Sequence, residues 1–110
     1  MKTLTIDHRD TATGPVLAVA GDLDYAQAPE LRLQVDQVPL APGQCLVLDL
    51  SGLAFCDSTG ITALLAARQH ALAAEADIVL AGVPANLLRV LTLVGLDQVF
   101  TLRPDSSHAS

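Results

Sequence analysis

One stretch constrains the chain more than any other: Cys45-Leu46-Val47-Leu48-Asp49-Leu50-Ser51-Gly52-Leu53-Ala54-Phe55-Cys56-Asp57-Ser58-Thr59-Gly60-Ile61. Its first part, roughly Cys45 to Leu50, is apolar on both faces, the pattern of a central strand covered by helices. A small polar turn follows, and the stretch stops on the polar quartet Asp57-Ser58-Thr59-Gly60. An apolar segment with helical spacing begins at once, with Ile61, Leu64, Leu65 and Leu72 on one side. Ala63, Ala66, Ala67, Ala71 and Ala73 give that helix high propensity and a thin profile that permits close packing. A buried strand thus delivers a pair of hydroxyls to the start of a helix.

The flanking segments fit around this unit. Leu4 and Ile6 alternate with Thr3, Thr5 and Asp7, as in a strand with one wet face. Turn chemistry at Thr11-Ala12-Thr13-Gly14-Pro15 joins it to a second, more buried strand, Val16-Leu17-Ala18-Val19-Ala20, as an antiparallel hairpin. Gly21-Asp22-Leu23-Asp24 is expected to end that strand. Pro29-Glu30 opens a helix whose stripe is Leu31, Val35 and Val38, and Pro39 and Pro42-Gly43 stop it. Asp77 to Ala81 reads as a strand. Pro84 opens a helix expected to bury Leu87, Leu88, Leu91 and Val94, with Gly95 as its C′ residue and Leu96 as the hydrophobic partner. Val99 to Leu102 reads as a last short strand.

The order is β-β-α-β-α-β-α-β. It predicts an α/β fold: a mixed, mostly parallel sheet of about five strands with an antiparallel N-terminal edge strand and about three helices. With 110 residues, the expectation is one domain over 1–110, with a core of about 4–102 and a tail at 103–110.

Composition narrows the function. Six cations against twelve anions give a net charge of −6, and the cations are scattered singly. No basic footprint exists for nucleic acid or an anionic membrane surface. No apolar run approaches the ~20 residues that cross a bilayer, and the N-terminus is too polar for a signal peptide. Cys45 and Cys56, both in apolar context, read as buried thiols, which suggests a reducing cytoplasm. His8, His70 and His108 lack metal-ligand spacing, so no metal site is expected. Ser58 lies outside a G-x-S-x-G context, and His70, twelve residues along the same helix, sits about 18 Å away, out of reach as a base. No catalytic residue and no enzyme activity are expected. No phosphate-binding glycine loop exists, so no cofactor is expected. Asp49, in an otherwise apolar strand, reads as a structural carboxylate at the strand end or one accepting from a loop N–H.

Local chemistry allows two readings of the quartet. Asp57 or Ser58 serves as a helix N-cap, or Ser58 takes a phosphate, which the unpaired N–H groups and positive dipole of the helix end would accommodate. Gly60, with no side chain in the first turn, would then let another protein approach closely.

Asp57-Ser58-Thr59-Gly60 after the strand Leu46–Leu50, with Gly21-Asp22-Leu23-Asp24 upstream and Val94-Gly95-Leu96 downstream, resembles the STAS domain, and more narrowly the bacterial anti-sigma-factor antagonists. The resemblance covers roughly Leu4 to Leu102. It implies a protein that, when unphosphorylated, binds an anti-sigma factor that is also an ATP-dependent serine kinase, and so frees a sigma factor for transcription. The kinase, holding ATP and Mg, would phosphorylate Ser58 and break the complex, and a phosphatase would restore it. The resemblance makes Asp24, Asp57, Ser58, Thr59 and Gly60 the partner-binding surface, Asp57 shaping the phosphosite and Thr59 a second hydroxyl that is not normally the target. Tyr25, where the family has no fixed residue type, reads either as an interface anchor or as a half-buried helix-entry residue. The family usually continues into a final helix; here Pro104 to Ser110 carries no apolar stripe, so that helix is expected to be short or missing. The alternative function is a STAS adaptor or transporter-associated regulatory subunit without a phosphorylation switch. Monomer and weak dimer both stay open.

Overall fold

The computed structural model describes residues 2–104. In chain order the elements are β1 (Thr5–Thr11), β2 (Gly14–Leu23), α1 (Ala28–Gln37), β3 (Cys45–Cys56), α2 (Ser58–Ala73), β4 (Asp77–Ala81), α3 (Ala85–Leu93), a 3-10 turn (Leu96–Gln98) and β5 (Thr101–Arg103). The strands lie in the order β1-β2-β3-β4-β5. β1 runs antiparallel to β2, and the other pairs are parallel. The expected element order and sheet are therefore those observed.

Alternation along β3 divides its side chains between two faces, as a period of two requires. Leu46, Leu48 and Leu50 join Leu17, Val19 and Leu80 in the main core, together with the buried faces of all three helices. Val47 points the other way and clusters with Val16, Val79 and Ala81. Both faces of the strand are apolar as expected, but the helices cover only one of them. With consecutive strands adjacent and every crossover on the same side, the strand order never reverses. The sheet therefore lacks the switch-point crevice in which open parallel sheets usually seat a ligand.

Several boundaries differ from the sequence reading. β2 does not end at Ala20: it runs on through Gly21 and Asp22 to Leu23. β3 does not turn at Ser51-Gly52 but continues to Cys56. The two long strands sustain each other, pairing Ala20 with Gly52, Gly21 with Leu53, Asp22 with Phe55 and Leu23 with Cys56 across two register shifts. Gly52 is there for close approach rather than for a turn, since a Cβ on it would sit 2.8 Å from the Ala20 Cβ. Asp49 accepts from the Ser51 N–H (3.1 Å) and hydroxyl (2.7 Å), a structural role as expected. β5 starts at Thr101, because the 3-10 turn carries the chain past Val99 and seats Phe100 in the core. Arg103 belongs to β5 and not to a tail. The expected tail beyond it and the missing final helix fall mostly on 105–110, outside the described residues.

The helix stripes differ in a consistent way. On α2 the buried positions are Gly60, Ala63, Leu64, Ala67 and Ala71, whereas Leu72 is 48 % exposed. Apart from Leu64, small residues make up the buried face of α2, so the helix backbone packs close. On α3, Leu87 and Leu91 are buried, but Leu88 and Val94 are exposed. Gly95 follows in the left-handed conformation (φ 81°), and Leu96 packs on the core, as the C′ assignment requires.

The alanine stripe yields a test. Ala67→Leu should overpack the α1–α2 contact and destabilise the protein by about 1–3 kcal/mol. Leu72→Ala should stay within about 0.5 kcal/mol of wild type. Denaturant unfolding followed by circular dichroism distinguishes the two.

Candidate functional site

The site forms where the long strands β2 and β3 end side by side. At the last ladder step the Asp57 N–H donates to the Leu23 carbonyl at 3.2 Å, tying the start of α2 to the end of β2. The Asp57 carboxylate then divides its oxygens. Oδ1 accepts the Gly60 N–H at 3.0 Å and caps α2. Oδ2 accepts the Tyr25 N–H, also at 3.0 Å, and holds the β2–α1 loop. Of the two cap candidates the structure selects Asp57.

Asp24 builds the other half. Its carboxylate and its carbonyl both accept the Gln27 N–H (3.1 Å each), and the carbonyl also accepts from Ala28 (2.7 Å). Gln27 in turn accepts the Leu4 N–H at 2.6 Å. Two residues before Asp24, the buried Asp22 carboxylate accepts the Lys2 N–H at 3.1 Å, and its own N–H donates to the Lys2 carbonyl. Asp24 is thus a loop-forming residue as well as a partly exposed surface group. The supporting roles of Asp22 and Gln27 were missed in the sequence. An acidic residue next to a strand-end glycine was the available signal for Asp22.

On this frame Ser58 occupies the first position of α2 and is exposed. Its carbonyl accepts the Thr62 hydroxyl at 3.0 Å. Among the described residues no side-chain base hydrogen-bonds its own hydroxyl. His8 pairs with Asp10 at 3.0 Å, and His70 bonds the Val38 carbonyl at 3.1 Å. No group of three or more His, Cys, Asp or Glu among the described residues is placed to hold a metal. Asp24, Asp57, Ser58 and Thr59 lie beside Tyr25, which is 79 % exposed and so stands out from the surface rather than lining the helix entry.

Gly60 departs from the expectation. It is buried, and its role is internal: a Cβ there would meet the Leu23 carbonyl at 2.5 Å and the Cys56 sulfur at 2.7 Å. It lets α2 close down on the strand ends instead of opening the surface to a partner. Cys56 lies directly beneath. Burial, reinforced by the charge of Asp57, pushes its thiol up to about 11. Its S–H donates weakly to the Asp57 carbonyl at 3.6 Å, so it is a packing group under the site and not a nucleophile.

A family model described as Mlab, STAS domain matches residues 6–104, and the chain belongs to the STAS family. It is similar to the anti-sigma-B factor antagonist of Listeria monocytogenes, at 26 % identity over 92 % of this chain and 88 % of that protein. Among solved structures it is similar to an anti-sigma factor antagonist from Mycobacterium paratuberculosis (TM-score 0.80, 28 % identity, covering 97 % of this chain and 91 % of that one). The SulP transporter STAS domain from Vibrio cholerae shares the fold (TM-score 0.63, 22 % identity, 80 % and 70 % covered).

Two outcomes check the geometry. Gly60→Ala should cost about 1–3 kcal/mol in denaturant unfolding. The raised Cys56 thiol makes the unfolded chain ionise first, so its contribution is intact below pH 9 and stability should fall as pH rises to about 11. Cys56→Ser should flatten that part of the stability–pH curve.

Proposed function

We propose that the protein is an anti-sigma-factor antagonist whose binding is switched by phosphorylation of Ser58. The observation that carries the reading is the exposed Ser58 hydroxyl at a capped helix start, beside Asp24 and the projecting Tyr25. It is supported by relatives that carry the antagonist name over nearly their whole length. Unphosphorylated, the face around Asp24, Tyr25, Asp57, Ser58 and Thr59 docks an anti-sigma factor and displaces its sigma factor. That partner is also the serine kinase and supplies ATP and Mg.

In the switching step the Ser58 oxygen attacks the γ-phosphorus of ATP. An O–P bond forms, the bond to the β-phosphate oxygen breaks, ADP leaves, and the hydroxyl proton passes to a base on the kinase. A phosphatase later hydrolyses the ester. The phosphate adds about −1.5 to −2 charge. It arrives beside the Asp57 carboxylate, which is already committed to two backbone N–H groups. The α2 N-terminus accommodates the new charge within the chain. An interface that buries it without a cationic partner pays for desolvation, and coupling of ~1–3 kcal/mol already changes affinity by up to ~150-fold. No change of fold is needed. Both cysteines are free thiols, in keeping with a reducing cytoplasm as the setting.

Incubation with the kinase and ATP, followed by intact mass and site mapping, should place one phosphate on Ser58 and leave Thr59→Ala fully modified. Ser58→Ala should bind constitutively, and Ser58→Asp should weaken binding by ~5–150-fold. A competent kinase that leaves Ser58 unmodified would favour the constitutive adaptor instead.

A further inference from the structure

β3 outruns its neighbour. It pairs with β2 as far as Cys56, but with β4 only from Cys45 to Asp49. The loop after β4 closes the edge at Ser51, against which Gly82 packs. Beyond it, from Leu53 to Cys56, no backbone hydrogen bond among the described residues takes up the side of β3 away from β2. An open strand edge of this kind is a row of donors and acceptors spaced for an extended chain.

The edge forms one wall of a groove whose other wall is α3. A cavity of about 130 Å³ lies between them, lined by Leu53, Phe55, Cys56, Asn86, Leu87 and Val90, with Pro84 at its end and no charged side chain. From Val90 the helix carries an exposed apolar stripe onward through Leu93 and Val94 at helical spacing. Phe55, in the opposite wall, is 49 % exposed. A monomeric surface does not usually cluster such residues without a contact to make. The groove is also continuous with the switch face, since Phe55 and Cys56 lead directly into Asp57 and Ser58.

We propose that an extended, uncharged apolar segment of the anti-sigma partner docks in this groove. Its backbone adds to the free edge of β3 between Leu53 and Cys56, and an apolar side chain fills the pocket between Phe55 and Val90. The inference rests on the function proposed above and adds a second contact beside Ser58. The two contacts divide the work: main-chain bonds and the pocket supply affinity, and Ser58 supplies the switch.

The test measures affinity of the full chain for the purified anti-sigma kinase, using wild type, Phe55→Ser, Val90→Ser, Ser58→Asp and Leu33→Ser. Leu33, an exposed leucine on α1, is the control. Phe55→Ser and Val90→Ser should each weaken binding by at least ~10-fold, with circular dichroism and Tm reporting that the fold is kept. Leu33→Ser should bind as wild type. Hydrogen exchange on the wild-type complex should show new protection of the amides between Leu53 and Cys56, a readout that survives if a variant fails to fold. If Ser58→Asp releases the partner while the groove variants bind as wild type and those amides stay unprotected, the groove proposal is overturned and the switch stands. If wild type does not bind the kinase at all, the functional reading falls and this inference with it. If sedimentation shows instead that the groove variants abolish self-association, the occupant is a second copy and the proposal is wrong.

Discussion

The Asp57 carboxylate accepts one N–H from the first turn of α2 and another from the loop entering α1, each at 3.0 Å. These groups are far apart in the chain, and one carboxylate ties the two helix starts together. A charged acceptor makes each bond stronger than a neutral pair would be. The clamp works only because β2 and β3 are long enough to end side by side, with Leu23 bonded to Asp57 at the last step. It also needs Gly60, whose missing side chain lets the helix sit against Leu23 and Cys56. The exposed face of Ser58 and Tyr25 is the outer surface of this joint. Beneath it, the half-buried Cys56 thiol and the buried Gly60 pack closely against the end of β2.

A closely packed joint suits the proposed switch, which acts by charge. Affinity can be lost through repulsion at a fixed point only if the surface does not yield around the new phosphate. Under the proposed switch, the capped helix start would supply that fixed point, and its dipole would accommodate a phosphate on Ser58. The sheet contributes in another way. Because all three helices share one face and the strand order never reverses, the fold presents its ends and edges for contact rather than a crevice. The exposed groove between β3 and α3 is one such edge.

Much of this was legible in residue order. The alternation of leucine and valine along Leu46–Leu50 marked a strand apolar on both sides, Pro29 and Pro84 marked helix starts, and Gly95 marked a helix end. The polar quartet after an apolar strand marked the candidate site. What failed did so for physical reasons. Ser51-Gly52 has turn composition, but the ladder to β2 holds it extended. Leu72 has helical spacing, but α2 turns Ala63, Leu64, Ala67 and Ala71 inward and leaves Leu72 half-exposed on the far side. Leu88 and Val94 fit an amphipathic pattern, but α3 buries Leu87 and Leu91 instead and leaves these two partly exposed.

Local propensity, periodicity and turn chemistry by themselves determined the element order, the parallel sheet with its antiparallel edge, and the hydroxyl pair at a helix start, because each is a property of neighbouring residues. Only the tertiary structure decided which face of the sheet the helices cover, which carboxylate caps and which one closes the loop, and that Gly60 points into the core. It also decided that β3 runs past β4 and leaves an edge. Those features depend on contacts between segments distant in sequence, where strand length and side-chain volume settle outcomes that no local pattern contains.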